Sequence, residues 1–225
     1  MMSALPHIIL GLSGKKGSGK DTVADILCET LEAAPIKAAF ADALYDEVSE
    51  YFGVSVEDLR RRQTKETPME RLAFSQCRLS NFHAFALEHH TGPVAHYIDW
   101  LNQPRSPREA LQMWGQEFRR DEDPDYWVKI LEQRLLQAGR PAIVTDVRNI
   151  NERSFILRCG AQHWKIENAR VTPTGATSQH VSETTMDNFS FDYVIHNDGT
   201  LDELKSSVLA ASPLLEPKPS VPRPR

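Results

Sequence analysis

Between His7 and Asp25 the chain reads HIILGLSGKKGSGKDTVAD. Residues 7–12 are almost continuously apolar and β-prone, the pattern of a strand buried on both faces. Gly14, Gly17 and Gly19 then punctuate a loop, after which Thr22, Val23, Ile26 and Leu27 recur with helical spacing. A strand that turns through glycines straight into a helix commits the chain to a parallel α/β sheet, because the helix must pack on the sheet as it carries the chain back.

The turn carries GxxxxGK from Gly14 to Lys20. Nucleotide phosphates are too bulky and too charged for a loop with side chains pointing inward, and glycine removes that obstruction. Main-chain N–H groups from Lys15 to Asp21 can converge on a β-phosphate, with the positive end of the following helix behind them. Gly14, Lys16, Gly17, Ser18, Gly19, Lys20, Asp21 and Thr22 are therefore the candidate nucleotide-binding residues. Lys20 reaches the β- and γ-phosphates as a point charge. In the common motif a Ser or Thr after the lysine ligates Mg²⁺; Asp21 stands there in this chain, followed by Thr22, which makes Asp21 a candidate metal ligand.

Further along, Pro35–Phe40 reads as a second strand, followed by a helix through Leu44, Val48 and Tyr51. Asp42 is its N-cap or, with Tyr45 and Asp46, a neighbour of the phosphoryl acceptor. Residues 55–100 are charged and helical in character and read as an insertion walling a cleft, most of their charges, Arg60 and Lys65 among them, forming a solvated face. Ser106-Pro107 opens one helix, burying Leu111 and Trp114, and Pro124 opens another, burying Trp127, Ile130, Leu131 and Leu135. Arg108, Gln112 and Arg120 fall near one end of this pair, either as surface decoration or as a fork for a phosphate.

PAIVTDVRNINE, from Pro141 to Glu152, is the second informative stretch. A buried strand ends in Asp146, placed to hold the water shell of Mg²⁺ or to accept a proton, with Arg148 placed to clamp a phosphoryl oxygen. No Glu follows Asp146, which favours phosphoryl transfer over hydrolysis. A helix over 150–159 and a strand over Ala161–Glu167 follow. Residues 168–190 read as a lid-like segment, with Arg153, Arg158 and Arg170 as charges brought in on closure and His180 and Glu183 as structural groups. Strand Phe191–His196 leads to the turn Asn197-Asp198-Gly199, where Asn197 and Gly199 approach an adenine, and to a helix over 200–211 capped by Thr200 and Glu203. The tail LEPKPSVPRPR reads as disordered.

Composition narrows the classes. No apolar run approaches the roughly 18 residues that span a bilayer, and MMSALPHIIL has no basic region ahead of an apolar core, so a membrane anchor or secretory signal is not expected. Three cysteines at wide spacing suit reduced thiols in a cytoplasm. A net charge of −5 counts against tight binding to a nucleic-acid backbone.

GLSGKKGSGKDTVAD, FADAL, LQMWGQE with DPDYWV, IVTDVRNINE, HVSE and IHNDGTLDEL together resemble, in order and across residues 7–205, the deoxynucleoside monophosphate kinases of tailed bacteriophages. The resemblance implies a P-loop kinase fold: α/β, a parallel β-sheet flanked by helices, with a helical acceptor-binding insertion at 55–100 and a lid. It implies one kinase domain over 1–212, with 213–225 as the tail. ATP is the implied donor, with Mg²⁺ held at Asp21 and Asp146, and a deoxynucleoside monophosphate is the acceptor. Lys20, Arg120, Asp146 and Arg148 are the implied catalytic residues. Phe40, Asp42, Tyr45, Arg71, Arg108, Gln112, Arg120, Trp127, Arg148 and Glu152 make the implied acceptor side. Tyr45 departs from relatives that carry lysine there, exchanging a charge contact for a stacking or hydroxyl contact. The implied setting is cytoplasmic, with a homodimer as the one macromolecular partnership. Two other readings use the same loop: a phage kinase acting on a hydroxymethylated base within DNA, and a regulatory nucleotide-binding module.

Overall fold

The computed structural model describes residues 5–171 and 189–215. Five parallel strands, β1 (Ile8–Ser13), β2 (Ile36–Ala38), β3 (Ala142–Val144), β4 (Gln162–Glu167) and β5 (Tyr193–His196), form a sheet in the order β2-β3-β1-β4-β5. The helices are α1 (Lys20–Thr30), α2 (Phe40–Phe52), α3 (Val56–Arg60), α4 (Ser80–Glu88), α5 (Tyr97–Asn102), α6 (Pro107–Gln112), α7 (Arg119–Glu122), α8 (Tyr126–Ala138), α9 (Ile150–Arg158) and α10 (Leu201–Ala211). None among the described residues is long and apolar enough to cross a membrane. The chain divides into a sheet unit, Met1–Phe40 with Leu131–Arg225, and a helical unit, Ala41–Ile130.

In the sheet unit β1 is central, flanked by β3 and β4, so the connection through α1 leaves it toward one edge and the connection through α9 crosses to the other. Such a reversal opens a crevice at the carboxyl ends of the strands, where ligands bind in open α/β sheets. Gly14 is the first residue beyond β1 at that edge. Alternation along β1 sorts the two faces: Leu10 and Leu12 join Val23, Leu27, Leu204 and Val208 in the core under α1 and α10, while Gly11 between them backs onto Ile156 of α9. Trp164 and Ile143 complete this core without exposure. The predicted capping of α10 is present: the Thr200 hydroxyl accepts the Glu203 N–H at 3.3 Å, and the Glu203 carboxylate accepts the Thr200 N–H at 2.6 Å.

One local expectation needs correction. Asp42 is not the N-cap of α2, because the helix already starts at Phe40 and Asp42 lies in its first turn. The Asp146 carboxylate, from beyond β3, accepts the Phe40 N–H at 2.8 Å and does the capping from 106 residues away. Of the predicted tail, 213–215 lie in a 3₁₀ turn, Ser212–Leu215, and the remainder lies outside the described residues. His180, Glu183 and most of the lid-like segment also lie outside them.

The helical unit is built on aromatic rings. Trp114 is fully buried, stacks on Tyr51 at 5.3 Å between centroids and meets Phe82 at 5.0 Å and Phe118 at 4.9 Å. Trp114 belongs to a π-helical turn, Met113–Phe118, inserted between α6 and α7.

Candidate functional site

In the sheet unit the phosphate-loop candidate has a backbone that only glycine accommodates at two positions. At Gly14 (φ 153°) a Cβ would lie 2.4 Å from the Ile166 carbonyl oxygen, and at Gly19 (φ 101°) it would lie 2.4 Å from Asn197 Nδ2. Gly19 is also the N-cap of α1 and makes no side-chain capping bond, so the first-turn amides of that helix have no side chain folded over them from this residue. The Lys20 ammonium, on a residue only 8% exposed, donates to the carbonyls of Gly14 at 2.8 Å and Lys15 at 3.0 Å. A cation thus sits inside a ring of main chain that closes on itself through the Ser18 N–H to Lys15 carbonyl bond.

Asn197 holds this loop. Its Nδ2 donates to the Ser18 carbonyl at 2.9 Å, and its own N–H donates to Glu167 at the end of β4 at 2.7 Å. The Ser18 carbonyl and the Gly19 N–H share one planar trans peptide, so drawing the carbonyl toward Asn197 aims the N–H the opposite way. The Ser18 hydroxyl oxygen is buried and has no hydrogen-bond partner among the described residues. An orphaned hydroxyl, an enclosed ammonium and a helix start without a side-chain cap fit an oxyanion-rich ligand such as a polyphosphate.

The strand bearing Asp146 is tied to the residues just before Gly14. The Val147 N–H donates to Leu12 at 3.1 Å, and the Ser13 hydroxyl donates to the Val147 carbonyl at 2.6 Å. This anchors Asp146 beside the loop's entry, with one oxygen engaged by Phe40. Arg148 is exposed, whereas Glu152 is 2% exposed and accepts from the N–H groups of Arg148 (2.8 Å) and Asn149 (2.9 Å) and from Asn149 Nδ2 (2.8 Å). Glu152 is thereby the capping carboxylate of α9. Asp21 is exposed in the first turn of α1 and Thr22 partly so. Among the described residues no three His, Cys, Asp or Glu side chains cluster as metal ligands. Mg²⁺ bound through substrate phosphates needs only one or two carboxylates, and Asp21 and Asp146 fit that donor set.

In the helical unit the predicted residues separate into two groups. Asp42 pairs with Arg60 at 2.5 Å, the Arg60 guanidinium lies 4.5 Å over the Tyr45 ring, and Lys65 Nζ donates to the Tyr45 hydroxyl at 2.8 Å. Arg108 joins them: its N–H donates to the Lys65 carbonyl at 3.1 Å and its side chain pairs with Glu66. Asp42 and Tyr45 are thus brought together by Arg60, and Arg108 is linked to them only by way of Lys65. Arg71 donates instead to the Gly53 carbonyl at 3.3 Å. Trp127 is 3% exposed and donates to the Gly115 carbonyl at 3.0 Å, a core position. Gln112 is exposed at the end of α6 and Arg120 is half-buried in α7. In the sheet unit Phe40 is buried with its ring edge-on to Phe155, and Gly199 lies under the Glu203 carboxylate.

Sequence reasoning passed over Lys65 and Arg60 as solvated charges, and gave no part to Ser13 or His163. Nothing in the spacing connects Lys65 to a tyrosine 20 residues earlier. The sequence places Asn197 near an adenine, and in the structure its side-chain amide is bonded to the Ser18 carbonyl.

A family model described as deoxynucleotide monophosphate kinase matches residues 85–208. A protein of Acanthamoeba polyphaga mimivirus, provisionally named a deoxynucleotide monophosphate kinase, is 28% identical over 205 residues, 90% of this chain and 95% of its own. Among solved structures, dephospho-CoA kinase from Campylobacter jejuni aligns over 94% of this chain and 98% of its own, at 8% identity and a TM-score of 0.46.

Proposed function

Because the chain belongs to the deoxynucleotide monophosphate kinase family, we propose that it transfers the γ-phosphoryl group of ATP to a deoxynucleoside monophosphate, giving the diphosphate and ADP. The observation that carries this reading is the Lys20 ammonium enclosed by the carbonyls of Gly14 and Lys15 at the start of α1. Exchanging two carbonyl contacts for β- and γ-phosphate oxygens trades neutral acceptors for charged ones, adding direct attraction between opposite charges to bonds that the ammonium already makes as an ionised donor.

Main-chain amides of the loop orient the triphosphate, and Asn197 keeps the Ser18–Gly19 peptide in the binding orientation. Asp21 and Asp146 would hold Mg²⁺, which when bound would supply neutralisation of phosphate charge. Arg148 and Arg120 supply positive charge to the transferring group. Asp42, Tyr45, Arg108 and Gln112 contact the acceptor. Little covalent chemistry is asked of these residues, because most of the rate comes from positioning two mutually repelling polyanions. The site of action is the cytoplasm, with free nucleotides as substrates.

The test is a coupled assay with ATP against all four deoxynucleoside and all four ribonucleoside monophosphates, with a hydroxymethylated duplex as a further acceptor. Formation of a deoxynucleoside diphosphate is the expected result. Lys20→Ala should lower kcat by about 10²–10³, the effect of removing one transition-state donor. Turnover near wild type in that variant removes Lys20 from the mechanism. Acceptor-independent hydrolysis alone favours a regulatory module.

A further inference from the structure

Two cations, Arg60 and Lys65, meet Tyr45, a third, Arg108, is bonded through its backbone to Lys65, and their partners differ in kind. Arg60 is matched by Asp42 and Arg108 by Glu66, so each guanidinium is neutralised by its own carboxylate. Lys65 is not. Among the described residues its ammonium is held by the Tyr45 hydroxyl at 2.8 Å, 5.4 Å from the ring centre, and no carboxylate pairs with it.

A half-buried ammonium held by a neutral oxygen has no opposite charge in its partner. One of its three N–H donors is used on the phenol oxygen, and the phenol keeps its own proton to give. Together the pair therefore presents two N–H donors and one O–H donor with a net positive charge, which suits an oxyanion with several acceptor oxygens. The pair is also rigid. Arg60 covers the ring face at 4.5 Å, and the Arg108 N–H fixes the Lys65 carbonyl to the first turn of α6. That turn is itself held by the reciprocal bonds of Ser106 and Glu109. A preorganised cation loses less conformational freedom on binding than a loose surface lysine.

We infer that Lys65, oriented by the Tyr45 hydroxyl and stacked beside Arg60, binds the phosphate monoester of the acceptor nucleotide. The inference rests on the reading of this chain as a deoxynucleoside monophosphate kinase and adds to it the group that recognises the acceptor's charge. Arg60 and Arg108, already compensated, serve as the walls that hold the pair.

The experiment compares binding of each deoxynucleoside monophosphate with binding of the same deoxynucleoside lacking its phosphate, by titration calorimetry, for the wild type, Lys65→Met, Lys65→Arg and Tyr45→Phe. Losing one charge-assisted contact should weaken monophosphate binding by about 10–100-fold. Affinity for the unphosphorylated deoxynucleoside and KM for ATP should stay as they are. Lys65→Arg should recover part of the loss, and Tyr45→Phe should fall between wild type and Lys65→Met. A general structural defect would instead move the ATP KM and the melting temperature together. Should Lys65→Met fail to fold, Tyr45→Phe deletes a single oxygen and carries the same comparison. An active wild type whose monophosphate-to-deoxynucleoside affinity ratio is unchanged in Lys65→Met and Tyr45→Phe overturns the inference alone. A wild type that phosphorylates none of the four monophosphates overturns the kinase reading, and this inference with it.

Discussion

His163 is fully buried, and its tautomer follows from its neighbour. The Ser13 hydroxyl has one proton, and that proton goes to the Val147 carbonyl. The 2.7 Å contact between Ser13 Oγ and His163 Nε2 must then be donated by the imidazole, which fixes the proton on Nε2 and leaves Nδ1 as a bare, buried acceptor. Three strand ends meet in this bond: β1, the segment after β3, and β4. Burial, reinforced by the Arg153 charge and opposed by Asp192, lowers the His163 pKa from 6.5 to about 4. The unfolded chain takes up a proton at this residue below 6.5 while the folded chain refuses it until about 4, so stability is full above 6.5 and is lost as pH falls through that window. The loss amounts to about 3 kcal/mol. Glutamine at 163 keeps an amide donor for Ser13 but does not titrate. The His163→Gln variant should show a flatter dependence of unfolding free energy on pH between 6.5 and 4 in urea titrations; a slope equal to wild type would remove His163 as the acid-sensitive group.

At the scale of elements, Glu47 joins α2 to three others. Its carboxylate accepts from Trp114 Nε1 at 2.7 Å in the π-helical turn, from Arg119 Nε at 2.9 Å in α7, and from the Tyr126 hydroxyl at the start of α8. Arg119 in turn covers the rings of Trp114, Phe118 and Tyr126 at 4.7–5.3 Å. The Glu47 and Arg119 side chains are 17% and 13% exposed, so removing one leaves the other charge largely out of water. Glu47→Ala should therefore destabilise the protein by about 3–5 kcal/mol in denaturant unfolding, the range for stranding one member of a buried pair. A loss below about 1 kcal/mol would class the pair with surface bridges. Burial, then the bond to Glu47, raises the Tyr126 pKa to about 12. The folded phenol keeps its proton where the unfolded one has lost it, so this contribution disappears as pH rises from 10 toward 12, and Tyr126→Phe should soften the alkaline transition. None of this network is legible in the sequence. Glu47, Trp114, Arg119 and Tyr126 have no common spacing, and the π-helical turn that brings Gly115 against Leu44 has no periodic signature separable from an ordinary helix.

Across the whole molecule the sheet unit was far easier to read than the helical one, for a physical reason. Its strands are short apolar runs closed by Gly14, Asp146 or Asn197, and its helices carry local signals such as the Thr200–Glu203 cap, so sequence neighbours are also structural partners. The helical unit is held by ring contacts among short helices and 3₁₀ turns, as between Phe74 and Trp100 or Phe82 and Trp114, where the pairing is set by tertiary packing. The same contrast explains why the glycine loop around Lys20 is legible in the sequence and the contact between Lys65 and Tyr45 is not. The phosphate loop therefore offers a whole-molecule test that needs no turnover. A ligand that binds the folded chain and not the unfolded one adds about 2.7 kcal/mol of stability at a hundredfold excess over Kd. For a chain of 225 residues, each kcal/mol raises Tm by about 2–4 °C, so saturating ATP with Mg²⁺ should raise it by about 5–10 °C. Lys20→Ala should lose most of that rise, because its ammonium no longer meets the phosphates, and AMP should produce little of it in the wild type, because it lacks both the β- and the γ-phosphate. An equal rise with AMP and ATP would place the nucleotide by its base, sugar or α-phosphate, and would leave the glycine loop without the β- and γ-phosphates that its geometry fits.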